Sequence, residues 1–497
     1  MRIDPKQASG RVTSLGARPI GSIAARLSLL ASLALTACGT SWASASPDRP
    51  RVSHYRMELR LQPRERSLRA LTTMTIANTT SEAVTEIPFL LYRLFTVAAA
   101  ENGAGSRLDW SQEVVIDRDE GTLQVNYVRV TLPRALAPGD STRVTLAYGG
   151  PLFGYREVSG YIHDTVSEDY CLLREDSYAY PILARPSREG RAGIVDRPFT
   201  WELVATAPAS YVVATGGEVL QVQAAGDSVR YAIRSRVPTW RLDIAAAKFA
   251  RIADPQRGLA VYVLPGHDSG AARVLEGMRR VIAFFTRRFG DIGPTSYTAI
   301  EIPDGWGSQA GPLYLLQTAA AFTDSTRIGE VYHEIGHSWN AVARPEVQRC
   351  RWFDEAFASY FEALAKGEFE GPEALRADME VSRAVFRRWV EADSGYARLP
   401  IVEFGKREAG GLSYTKGAWA LHVLHEILGD DRFDRVIREL IREHRVTPAG
   451  FEDFRRIAER VGGRKLDRWY REWFLEAESS RLLLEGASVE AMAARYR

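Results

Sequence analysis

The chain has 497 residues, 45% of them hydrophobic and 25% charged, with a net charge of +2. That length predicts two to four domains around a substantial core, and the composition is that of a globular protein. So small a net charge gives no support for nucleic-acid binding.

At the N-terminus Arg18 and Arg26 precede a short apolar run, Leu27 to Ala37, which ends at Cys38. A basic flank and a short apolar run read as a secretory leader, too short to span a bilayer stably. Leu35-Thr36-Ala37-Cys38 resembles the bacterial lipobox, in which the cysteine becomes the lipidated first residue. Gly39 follows, where an Asp would favour inner-membrane retention. The expectation is a lipoprotein signal peptide over 1–38 and a tether over 39–52. The protein would sit in the bacterial cell envelope, held at the outer membrane by lipid on Cys38 and facing the periplasm. The alternative is plain secretion with cleavage near Ala43-Ser44-Ala45, which an unmodified intact mass starting after Cys38 would reveal. Cys171 and Cys350 remain, and an oxidising compartment permits one disulfide between them, though nothing in the sequence shows that they meet.

From His54 the apolar residues alternate, through Met57, Leu59 and Leu61 and then Leu71 to Ile76, with 63–67 reading as a hairpin loop. Further strand patterns fall at 86–92, 123–132, 142–148, 199–205, 211–214 and 229–234, with an irregular stretch near 150–197. Many short strands with little helical periodicity predict an antiparallel β domain, placed at 53–252. The pattern then changes. Strands are expected at 259–264 and 296–302, a helix at 271–289, and a Gly-punctuated edge at 305–316, ahead of mainly helical segments. A second domain is placed at 253–480, with a C-terminal tail at 481–497.

The strongest signal is His333-Glu334-Ile335-Gly336-His337. Side chains four apart on a helix share a face, so His333 and His337 can both ligate one zinc ion. Glu334 can then face a metal-bound water and take its proton. Trp352-Phe353-Asp354-Glu355 opens a second helical pattern, and Glu355 could complete a His, His, Glu site with an open fourth position. Glu330, one turn before His333, and Asp354 are candidates for orienting a ligand imidazole, against the plainer readings of a solvated helix charge and a helix N-terminal charge. His422 and His425, in an apolar helical stretch, read as structural.

HEIGH at 333–337, WFDEAF at 352–357 and SYTKGA at 413–418 together resemble the aminopeptidase N family of zinc peptidases, the gluzincins. YRMELRLQPRERSLRALTTMTIANTT and PRALAPGDSTRVTLAYGG resemble the family's β-sandwich domain. The resemblance covers most of 53–475. It implies a multidomain α+β fold, with an N-terminal antiparallel β-sandwich before a thermolysin-like, mainly helical catalytic domain that keeps a small sheet. It also implies one zinc per chain on His333, His337 and Glu355, Glu334 as general base, and Tyr414 donating its hydroxyl to the oxyanion of the tetrahedral intermediate. Substrates would be peptides.

Three departures qualify the transfer. Seventeen residues, not the family's usual eighteen, separate His337 from Glu355. The family's Gly-x-Met-Glu-Asn motif, whose Glu grips the substrate's α-amine, is matched by a strand from Gly305 to Leu315 that has no carboxylate. An ammonium in a dry cleft needs a charged or fully hydrogen-bonded partner. Glu175, Asp176 and Asp304 are candidates to replace it. The family's larger members also carry a helical C-terminal domain, and without it the cleft would be more open. The leading expectation is a zinc metallopeptidase that removes N-terminal residues. The alternatives are an endo- or oligopeptidase, a zinc hydrolase of non-peptide substrates, and a non-catalytic peptide-binding scaffold.

Overall fold

The computed structural model describes residues 49–187, 190, 198–293, 296–407 and 409–497. The leader, Cys38 and most of the expected tether lie outside them.

The alternating N-terminal pattern becomes long strands: β1 (Arg51–Gln62), β2 (Ser67–Ala77), β3 (Val84–Tyr92), β4 (Thr96–Asn102), β5 (Asp109–Ile116), β6 (Gln124–Leu136) and β7 (Ser141–Pro151). On β1, Met57, Leu59 and Leu61 are buried while Glu58 and Arg60 are exposed, as a period of two requires. Short strands β8 (Thr165–Val166), β9 (Cys171–Leu173) and β10 (Ile182–Leu183) follow. Then come β11 (Thr200–Pro208), β12 (Val212–Ala214), β13 (Glu218–Ala225), β14 (Ser228–Arg234) and β15 (Ile244–Ala247). Part of the stretch expected to be irregular is therefore sheet, in strands of two or three residues that are too short to show a period.

Three sheets build this domain, in the orders β13-β14-β11-β1-β2-β7-β4, β10-β3-β6-β5 and β12-β15-β9-β8. The first two share one apolar core. The pairing is antiparallel except for β1 beside β11, where His54 lies opposite Thr200 in a parallel register. A contact made by residues so far apart in sequence leaves no local signature.

The second domain begins with β16 (Ala250–Asp254), which crosses the expected boundary at 252/253 to pair with β17 (Leu259–Val263). With β18 (Tyr297–Ile302), β19 (Gln309–Gly311) and β20 (Tyr314–Thr318) it forms a sheet ordered β16-β17-β18-β20-β19. The three inner strands run parallel, and both edge strands run antiparallel to their neighbours. Helix α1 (Asp268–Phe289) buries Val274, Met278, Val281 and Phe285 at helical spacing against this sheet. Helices α2 (Gly329–Gly336), α3 (Phe357–Glu370), α4 (Pro372–Ala392) and α5 (Lys416–Leu428) follow.

The end of the chain departs from the expected tail. Residues 478–484 and 489–494 are helical, and Leu482, Leu483 and Met492 are buried in the core of this domain. Lys416 Nζ, at the start of α5, donates to Ser480 Oγ (2.9 Å) and ties this end in place. No helix among the described residues is long and apolar enough to cross a membrane. Cys171 and Cys350 are both free and lie in the cores of different domains, so no bridge joins them.

Candidate metal centre

Helix α2 is short and ends at Gly336, so His337 is its C-cap and still holds helical angles (φ −56°, ψ −21°). His333 and His337 therefore stay one turn apart, their rings 5.0 Å apart and nearly perpendicular. Glu355 comes from a five-residue π-helical turn, Trp352–Ala356, that leads into α3. Such turns recur at functional sites because the wider ring re-aims side chains. Just before it, Arg351 adopts φ +54° at the end of the short helix Pro345–Cys350, which turns the chain back toward α2.

One nitrogen from each imidazole and one carboxylate oxygen lie within 4.8 Å of one another. Glu355 Oε2 is 3.1 Å from His333 Nε2 and 3.8 Å from His337 Nε2. A tetrahedral zinc shell with bonds of about 2.1 Å spaces its donors about 3.4 Å apart, so these three atoms fit zinc. Arg351 holds the other oxygen of Glu355, leaving a single oxygen for the metal.

The surrounding carboxylates differ in part from the expectation. Asp354 Oδ1 lies 2.8 Å from His337 Nδ1, as proposed from the sequence. Against the effect of burial, His337 and Arg351 hold the Asp354 carboxyl well below its usual range. Glu330 instead pairs with Arg327 and accepts from Gln317 Nε2 (3.2 Å), drawn there by the nearer cation. The carboxylate facing His333 is Glu362, whose Oε2 is 3.6 Å from Nδ1. Lys366 holds Glu362 from one turn further along α3. Gly329, opening α2, makes room for this pair, since a Cβ there would sit 2.2 Å from Lys366 Cε and 2.5 Å from Glu362 Oε1. The sequence reading missed Glu362 and Arg351. The one signal for Glu362 was its place seven residues, two helical turns, after Glu355.

Glu334 is buried beside the imidazoles, and burial pushes its carboxyl up to about 7 although both histidines pull it down. Tyr414 stacks on His333 with ring centroids 5.8 Å apart and planes 6° apart, and its hydroxyl accepts from Arg351 Nη1 at 3.3 Å. Burial holds the phenol well above its usual range, so it remains an O–H donor. Gly417 permits this approach, because a Cβ there would meet Ala356 Cβ at 2.8 Å. All five residues singled out from the sequence thus converge.

The others do not. Tyr360 Oη lies 3.3 Å from His422 Nδ1 and 2.7 Å from His425 Nδ1, a packed structural arrangement. Asp304 accepts from Ala320 N (2.7 Å) at the start of a short helix. Asp176 is engaged by Arg241 (2.9 Å) and by the Tyr161 hydroxyl (3.1 Å). Glu175 Oε2 is buried and takes no hydrogen-bond partner among the described residues.

Residues 312–473 match the Peptidase family M1 domain. Among curated proteins, a probable aminopeptidase 2 of Sulfurisphaera tokodaii is 23% identical over 48% of this chain and 33% of its own length. The aminopeptidase N of Haemophilus influenzae is 23% identical over 49% of this chain and 30% of its own length. The chain thus spans about a third of the length of these relatives. An M1 zinc metallopeptidase of Deinococcus radiodurans superposes with a TM-score of 0.58 at 20% identity, over 89% of this chain and 94% of that one. A mutant of that enzyme bound to a Tyr-Ser-Ala substrate gives 0.61 at 19% identity, over 88% and 96%. The fold is therefore the one seen in the M1 zinc metallopeptidases, and residues 312–473 carry the match to the Peptidase family M1 domain.

Proposed function

We propose that the chain is a zinc-dependent metallopeptidase that hydrolyses peptide bonds with aminopeptidase-like machinery. The observation that carries this reading is the cluster of His333, His337 and Glu355 donor atoms within 4.8 Å, with Glu334 and Tyr414 beside it. When bound there, zinc lowers the pKa of a water and polarises the substrate carbonyl. Glu334 takes the proton from the attacking water on its carboxylate and passes it to the leaving amine; its raised pKa suits both steps near neutral pH. Tyr414 donates its hydroxyl hydrogen to the carbonyl oxygen as charge develops, an arrangement that stabilises the transition state. Arg351 holds Glu355 and the phenol in register.

Glu334→Gln is expected to lower turnover by about 10²–10⁴-fold, the usual contribution of a general base. It should leave zinc content near one per chain, measured by elemental analysis. Unchanged turnover on every peptide would favour a binding scaffold instead. The leader and the Leu35–Cys38 pattern support a place in the bacterial cell envelope.

The names of the curated relatives support removal of N-terminal residues. A second reading, cleavage that needs no free N-terminus, is favoured by one observation: β19 carries Gln309 and no carboxylate.

A further inference from the structure

Strand β19 is the edge of the catalytic sheet and packs beside α2. An exposed sheet edge can take an extended peptide as a further strand. The first residue of β19 is Gln309, and its side chain is held from the other domain. Arg174 Nη1 donates to Gln309 Oε1 at 3.1 Å, and Arg241 Nη2 donates to the same oxygen at 2.8 Å. Both arginines are almost fully buried, with side chains 0% and 6% exposed.

A guanidinium only donates, so it fixes which end of an amide faces it. The oxygen of Gln309 is committed to the two arginines, and Nε2 points away from them. Gln309 is only partly buried, and both hydrogen bonds its side chain makes among the described residues are to Oε1. The nearby carboxylates are engaged. Asp164 pairs with Arg174 (2.8 Å), Asp176 pairs with Arg241 (2.9 Å), and Asp243 pairs with Arg241 (2.8 Å) and accepts from the Tyr314 hydroxyl (2.8 Å). Glu175 remains, and burial pushes its carboxyl up to about 8, so it is mostly uncharged at neutral pH.

We infer that Gln309, oriented by Arg174 and Arg241, is a specificity determinant that receives a carbonyl oxygen of the peptide substrate through Nε2. The favoured substrates are peptides that present a carbonyl there, either internal segments or acyl-blocked N-termini. An α-ammonium would meet an N–H donor, which it cannot use. The inference rests on the peptidase reading and deepens it.

The test uses the full zinc-loaded chain and one peptide series in free and N-acetylated forms. Cleavage rates are compared with cleavage sites mapped by mass spectrometry, and equilibrium binding of the same peptides to the Glu334→Gln variant is measured in parallel. The acetylated peptides should be cleaved and bound at least as well as the free ones. Gln309→Glu, nearly isosteric, removes the donor and supplies a charge for an ammonium. It should shift the acetylated-to-free ratio at least about tenfold toward the free peptides, the size of one lost hydrogen bond with an acceptor left unpaired. Gln309→Met, which removes the donor without adding a charge, should weaken the acetylated peptides alone. A wild-type chain that accepts free termini only, or a ratio unmoved by both variants, overturns the inference. If no peptide is cleaved but the binding preference and its shift persist, the peptidase reading fails and the role of Gln309 in binding stands.

Discussion

Removing Asp164 should destabilise the N-terminal domain far more than a surface change would. Arg174 and Asp164 have fully buried side chains, and three contacts join them: Nη2 to Oδ2 at 2.8 Å, and Nε to Oδ2 and Oδ1 at 3.1 and 3.3 Å. Asp164→Ala would strip these away and leave Arg174 with neutral acceptors only: Tyr161 O (3.0 Å), Trp306 O (3.2 Å) and Gln309 Oε1 (3.1 Å). Two unit charges about 4 Å apart attract by about 4 kcal/mol at an effective dielectric constant near 20. Breaking one side of a buried pair is measured at about 3–5 kcal/mol. The two routes agree, so the expected loss is about 4 kcal/mol, somewhat offset by Asp176, which also acts on Arg174. The sign should change when both charges are removed. Asp164→Leu with Arg174→Met leaves no buried charge behind and should recover at least half of the loss, because well-packed apolar replacements of buried pairs are often neutral or stabilising. Urea unfolding followed by fluorescence checks both, reading the transition of the N-terminal domain separately if the two domains unfold apart. A loss below about 1 kcal/mol in Asp164→Ala, or a double variant no better than the single one, would refute the claim that charge burial dominates this network.

Two further outcomes are expected. Asp354→Asn should weaken zinc binding by about 10–100-fold in a competitive chelator titration, because the carboxylate 2.8 Å from His337 Nδ1 both orients the ring and raises its basicity. An affinity equal to that of the wild type would assign Asp354 to helix capping alone. Glu175→Gln should raise stability, and more so at higher pH. Its carboxyl is pushed up to about 8 in the folded chain from an ordinary 4.5, so stability from the protonated group is fully present below pH 4.5 and is lost as pH rises toward 8. The variant lacks that loss, and its advantage should grow from nothing near pH 4.5 to an upper bound of about 3 kcal/mol at pH 7. Thermal unfolding of both proteins at pH 5, 6.5 and 8 checks this, and a gap that does not change with pH would exclude a buried, protonated Glu175.

The sequence made legible whatever is set by local geometry. His333 and His337 share a helix face, and Glu355 stands in the turn that leads into the next helix, so periodicity was enough to make all three candidates. Tyr414 was different. Nothing in its surroundings distinguished it from a packing tyrosine, and the family resemblance alone pointed to it, yet its ring lies against His333. Glu330 shows how such reasoning goes astray. It has the spacing to reach a ligand imidazole, but Arg327 is three residues away and claims it. Glu362 takes the position facing His333 because α3 packs against α2 at Gly329, a tertiary contact that no local pattern encodes.

The recognition site shows the same limit more sharply. Three candidate carboxylates were read from the sequence, on the premise that a lost charge must be replaced by another of the same sign. The fold brings Arg174 and Arg241 to the position instead, from the domain that the sequence pattern marked as structural. Each of these buried cations is paired within that domain, Arg174 with Asp164 and Arg241 with Asp176 and Asp243. The arginines therefore need no contribution from a substrate, and Gln309, held through Oε1, presents a neutral N–H donor beside them. A chain that had merely lost its amine-binding carboxylate would leave a buried ammonium without a partner, and selection on N-terminal cleavage would not tolerate it. A position rebuilt around a fixed amide oxygen would read a carbonyl instead. That difference separates a weakened aminopeptidase from a peptidase of another specificity, and it predicts a changed ratio between two substrates where simple loss predicts a lower rate on one.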